Sequence, residues 1–104
     1  MRYLTLVCVD EELAAAWDGD PDPAPWIALA GERRLHGHQL RGPGDATTVR
    51  DGGALVTDGP FAETKEQIAG YDVLEADTLE ELVELAARHP VAQFGAIEIR
   101  ALRA

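Results

Sequence analysis

Cysteine is nearly absent. Cys8 is the only one in 104 residues, which excludes an internal disulfide and any multi-cysteine metal centre. Positive charge is scarce: 9 Lys and Arg stand against 19 Asp and Glu, a formal net charge of −10. Nucleic acid and anionic membrane surfaces are held mainly by Lys and Arg, so this balance argues against both as partners. Basic proteins, cations and neutral small molecules are left. No apolar run approaches the roughly 20 residues that a membrane span needs. The apolar stretch near the start gives way to Asp10-Glu11-Glu12 after about six residues, too short for a signal peptide. A cytoplasmic protein is the expectation. GxGxxG, GxxxxGK[ST] and GxSxG are all missing, so nucleotide cofactors and serine-hydrolase chemistry have no support and no cofactor is assigned.

What is present is a well-patterned chain. Hydrophobic residues make up 46%, too many for a disordered acidic protein. The length suits one domain over residues 1–104. Residues 3–9 (YLTLVCV) predict a first strand with two apolar faces: Leu4, Leu6 and Cys8 on one, Tyr3, Val7 and Val9 on the other. Such a strand belongs in the middle of a sheet, covered on both sides. Cys8 within it reads as a buried, inert thiol, with no basic neighbour to stabilise a thiolate. Asp10 can cap a helix whose first turn carries Glu11 and Glu12. The Pro-rich DGDPDPAP then breaks this helix into two short pieces, with Asp22-Pro23 starting the second and Gly31 ending it.

Leu35 to Leu40 predicts an extended segment. Thr47–Arg50 and Ala54–Thr57 flank Asp51-Gly52-Gly53, a hairpin signal, because Asp-Gly suits the positive φ angles of tight turns. Residues 67–76 form a further strand in which Gly70 marks a bulge or close backbone approach. Thr78 and Glu81 compose a capping box. Leu79, Leu82, Val83 and Ala86 recur at helical spacing, His89-Pro90 stops that helix, and Ala96–Arg100 alternates as a last strand. The order is β-α-β-β-α-β with an extra β-hairpin, which predicts a ferredoxin-like α+β fold with an antiparallel sheet. Two helices cover one face of such a sheet. The other apolar face needs a cover, and a second copy is the simplest one, giving a homodimer.

The segment Asp58-Gly59-Pro60-Phe61-Ala62-Glu63-Thr64-Lys65-Glu66 puts four ionisable groups on a stiff turn between strands. Gly59 permits unusual dihedrals, Pro60 stiffens the next step, and Phe61 is placed to anchor the turn in the core. Together with the following strand, "VTDGPFAETKEQIAGYDVLEA" resembles the signature of the YCII-related domain family, DGPF subgroup. "LAGERRLHGHQL", "ATTVR", "LEELVELAARHP" and "GAIEIR" extend the resemblance over nearly the whole chain from residue 27. The resemblance implies a ferredoxin-like subunit pairing through its sheets into a dimeric α/β barrel, with a cleft near the DGPF turn. It supplies no established reaction. It also implies an association with extracytoplasmic-function sigma factors, so a non-enzymatic accessory or regulatory partner of a sigma factor stands as the alternative function; this sequence carries no fused sigma-factor domain. The segment 10–30 is shorter and richer in proline than is usual in the family.

Asp58 can bond the backbone amides of Gly59 to Phe61 in an Asx-type turn, or it can bind ligand and move a proton; the two roles are compatible. Related YCII proteins have been proposed to use a His–Asp pair, so Asp58 and His38 are the candidate catalytic residues. Glu63, Lys65 and Glu66 are a solvated turn on the bland reading and line a pocket mouth on the other. His36 and His38 point to the same face of a strand. With Asp58 they would supply two nitrogens and one oxygen, with no evident fourth ligand, and no metal is assigned. His36, Glu63, Lys65, Glu66 and Tyr71 are therefore the candidate ligand-binding residues. Tyr71 and Trp26 read first as packing residues that could wall a pocket. His89 is expected to interact with the negative end of its helix.

Overall fold

The computed structural model describes residues 1–62 and 64–103. The sheet contains β1 (Arg2–Val9), β2 (Arg34–Gln39), β5 (Gln67–Glu75) and β6 (Ala96–Ala101) in the order β2-β5-β1-β6. Every neighbouring pair is antiparallel, which is the ferredoxin-like arrangement. β3 (Thr47–Arg50) and β4 (Leu55–Asp58) form a separate two-stranded hairpin. Asp51 and Gly52 turn that hairpin with φ of 53° and 63°, the positive angles that the Asp-Gly pair predicts.

The helices follow their caps. In α1 (Glu11–Ala16) the Asp10 carboxylate accepts from the Glu12 amide at 2.9 Å. The Asp22 carboxylate accepts from the Ala24 amide at 3.0 Å where α2 (Ala24–Ala30) begins, and Gly31 ends it at φ 56°. The first helix is thus broken where the prolines stand. In α3 (Leu79–Ala87) the Thr78 hydroxyl accepts from the Glu81 amide at 3.3 Å.

Tyr3, Thr5 and Val7 of β1 are buried beneath the helices. The core joins Tyr3 and Leu74 to Trp26 and Ala30 of α2 and to Leu82 and Leu85 of α3. Leu4, Leu6 and Cys8 lie on the opposite, helix-free face and are only half-buried. Within the single chain, then, β1 is central but covered on one side. Phe61 departs from the sequence expectation. It is 74% exposed and stacks beneath the Arg50 guanidinium at 4.7 Å, so hairpin and turn form an outlying arm instead of a core anchor.

Candidate functional site

β2 and β5 place the first charged pair. Opposed residues of an antiparallel pair share a face. Gly37 is opposite Asp72, and Arg34 is opposite Leu74, with Leu35 as the extra residue of a bulge. Both Arg34 and Asp72 therefore face the helices. Arg34 Nε donates to Asp72 Oδ1 at 2.7 Å, with the Asp72 side chain 9% and the Arg34 side chain 22% exposed. This pair spans the bare backbone of Gly37. A Cβ there would meet Asp72 Oδ1, and would lie 2.7 Å from Arg34 Nη2 and from the Tyr71 carbonyl. Behind the carboxylate, Thr5 Oγ1 donates to the Asp72 carbonyl at 3.1 Å.

His89 comes from the other side of the chain, between α3 and the turn at Pro90. Its ring is buried and meets Trp26 edge-on, with centroids 4.7 Å apart. Trp26 is itself fixed by its Nε1–H donating to the Leu85 carbonyl at 2.8 Å. The Val91 amide donates to His89 Nδ1 at 3.0 Å. A backbone N–H cannot accept, so Nδ1 carries no proton and the neutral ring holds its proton on Nε2. Burial pushes the imidazole below its ordinary range, and the Asp72 charge opposes that only in part.

Arg34, Asp72, His89 and Trp26 line one cavity of about 310 Å³ together with Val7, Val9, Pro21 and Pro23. The prolines that break the first helix are part of its wall, so the feature that shortens this segment also shapes the hollow. The composition is that of a small-molecule site: mostly apolar walls and a few fixed polar groups.

The residues singled out in the sequence are dispersed. His38 and Tyr71 are among the residues that line this cavity. His36 Nε2 and the Tyr71 hydroxyl are 3.0 Å apart, and His36 and His38 stack edge-on at 5.2 Å on the helix-free face. Asp58 ends β4 and is exposed. Among the described residues no bond joins its carboxylate to His36, to His38 or to the amides of Gly59–Phe61. Gly59 instead donates to the Ala46 carbonyl at 2.7 Å, and Thr48 Oγ1 to the Gly59 carbonyl at 2.9 Å. Lys65 lies 4.0 Å from the Asp10 carboxylate with its own side chain 80% exposed. Glu66 lines a shallow hollow with Phe61 and Leu40. Glu63 lies outside the described residues. His89 differs from its expectation: its imidazole caps the following turn instead of the end of α3. Among the described residues, no three His, Cys, Asp or Glu side chains converge as metal ligands do.

Asp72 and His89 were not among the sequence candidates for chemistry. The available signal was Asp72, a charged residue at an inward position of a strand whose neighbours there are Gly70 and Leu74. A buried carboxylate of that kind requires a partner.

A solved structure with the same fold is that of 5-chloro-2-hydroxyhydroquinone dehydrochlorinase from Burkholderia phenoliruptrix AC1100, in complex with 2,5-dihydroxybenzoquinone. It superposes with a TM-score of 0.59 at 13% identity, over 99% of this chain and 94% of that one. An uncharacterized protein of Rhizobium meliloti (strain 1021) is 32% identical over 96 residues, spanning 83% of this chain and 77% of that protein. The sequence profile of the YCII-related domain matches residues 10–104. With nearly the whole chain matched, this protein belongs to the YCII-related domain family.

Proposed function

We propose that this protein binds a small, largely apolar molecule carrying hydroxyl or oxo groups in the cavity between α2 and the sheet, and that Asp72 and His89 form its acid–base pair. One observation carries the reading: a buried imidazole with its proton fixed on Nε2 shares a cavity with a carboxylate anchored by Arg34. A ligand hydroxyl can donate to the carboxylate while an oxo group accepts from Nε2–H. The apolar walls and the edge of Trp26 suit a flat ring. A hydroxylated quinone in a protein of the same fold supports this ligand class.

The test uses 2,5-dihydroxybenzoquinone as the probe, with NMR mapping of the labelled protein. Saturable shifts centred on Asp72, His89 and Trp26, abolished by Asp72→Asn, are expected. Shifts confined to Asp58, His38 and the turn that follows Asp58 would move the chemistry to that loop and overturn the cavity reading. No binding by hydroxylated quinones or phenols would overturn the ligand class.

We also propose that the protein is a homodimer. The helix-free face carries Leu4, Leu6 and Cys8 beside Val73, Tyr71 and Ile68, and a second sheet of the same kind is the cover that supports this reading. Light scattering at micromolar concentration is expected to give about twice the 11.2 kDa chain mass. A mass of one chain would remove the dimer.

A further inference from the structure

We propose that the β3–β4 hairpin is an arm that embraces a second copy of this chain, burying Val49 and Val56 against the partner; this rests on the dimer reading above and adds a second contact to it. The hairpin is the part of the fold with the least support of its own. β3 and β4 pack chiefly on each other and on their own turn, with only sparse contacts to the remaining elements. An isolated two-stranded hairpin is marginal in water. Its cross-strand pair Val49 and Val56 is nevertheless apolar and left 61% and 58% exposed.

Two measures of the whole subunit show how much surface awaits a cover. The radius of gyration is 15.1 Å, where a compact domain of this length has about 13 Å. The accessible area is 7250 Å², where a folded monomer of this mass exposes about 5,700 Å². The excess of about 1,500 Å² per chain is what each subunit of an obligate homodimer loses on association. The helix-free face accounts for one part of that excess and the projecting arm for another.

Charge selects the occupant. Two copies, each at −10, repel one another. Residues 47–58 contain one Arg and two Asp, a net charge of −1, so the arm carries little of the excess negative charge and brings little of that repulsion to a contact. A basic protein would instead be drawn to the acidic surface elsewhere and would gain nothing from a neutral pair of valines. In a two-fold dimer each arm lies on the other subunit, so the contact occurs twice.

The experiment is sedimentation equilibrium of the full chain beside the double variant Val49→Thr/Val56→Thr, which keeps β-branched side chains and hence the hairpin. The expected result is a dimer whose dissociation constant rises at least about tenfold in the variant, with slow amide exchange of β3–β4 only at concentrations where the wild type is dimeric. An unchanged dissociation constant in a folded variant overturns the arm while the dimer stands. A monomeric wild type overturns both. Arm amides that stay protected at concentrations where the protein is monomeric likewise sink the proposal, because the hairpin would then need no partner.

Discussion

Gly37 sits opposite Asp72 in the sheet, and its missing side chain is the space through which the Asp72 carboxylate reaches Arg34. The ion pair is held over bare backbone, so a hydrogen atom at that position is part of the site. Gly37→Ala is expected to cost about 1–3 kcal/mol, as overpacking does, and to loosen the pair. Thermal denaturation measures the first effect. The second should appear as weaker binding of a cavity ligand, out of proportion to the lost stability.

Asp72→Asn keeps the shape and removes the charge. Arg34, with only 22% of its side chain exposed, then loses its counter-ion. Breaking a pair of this kind leaves a poorly solvated charge, and a loss of about 2–4 kcal/mol is expected by chemical denaturation. The double variant Arg34→Met/Asp72→Asn should recover part of that loss, because the stranded charge is gone.

The pH dependence follows from His89. Its folded pKa is depressed, mainly by burial. Above the ordinary imidazole pKa, near 6.5, the ring is neutral in both the folded and the unfolded chain. As pH falls through that value the unfolded chain takes up a proton that the folded one resists, so stability declines towards pH 5. His89→Asn retains a side-chain acceptor for the Val91 amide without the titration. Between pH 7.5 and 5.5 the melting temperature of the wild type is expected to fall by more than that of the variant.

Cys8 reports on the helix-free face. Burial raises its thiol pKa, with Glu98 and Glu66 adding to the effect, and the thiolate is the reactive form. Alkylation by iodoacetamide at pH 8 is expected to be about tenfold slower than for glutathione, and slower still at concentrations that favour a dimer. A rate equal to that of glutathione would show a thiol that neither the fold nor a partner protects.

Much of the fold was legible because its signals are local. The Asp-Gly turn, the Thr78 cap and the prolines at 21 and 23 each act within a few residues of themselves, and each produced the element it predicts. The two-faced pattern of residues 3–9 located the central strand. The cavity was not legible in the same way. Arg34, Asp72 and His89 come together through strand pairing and a helix–sheet contact, and no spacing along the chain encodes that. Phe61 shows the complementary difficulty. Its hydrophobicity says that something should cover it, and local sequence cannot say whether that surface belongs to the same molecule.

The pairing of β1 with β5 slips by one residue between Val7 and Cys8, where Gly70 and Ile68 are the consecutive partners and Ala69 is left over. That supernumerary residue inverts the side-chain parity of β5 upstream of it, so Ile68 faces away from Asp72's side of the sheet. Pairing without the bulge would set Ala69 opposite Cys8 and turn Ile68 inward opposite Val9, onto the floor of the cavity. One alanine with no chemistry of its own thus keeps a bulky side chain out of the space where a guest molecule would rest.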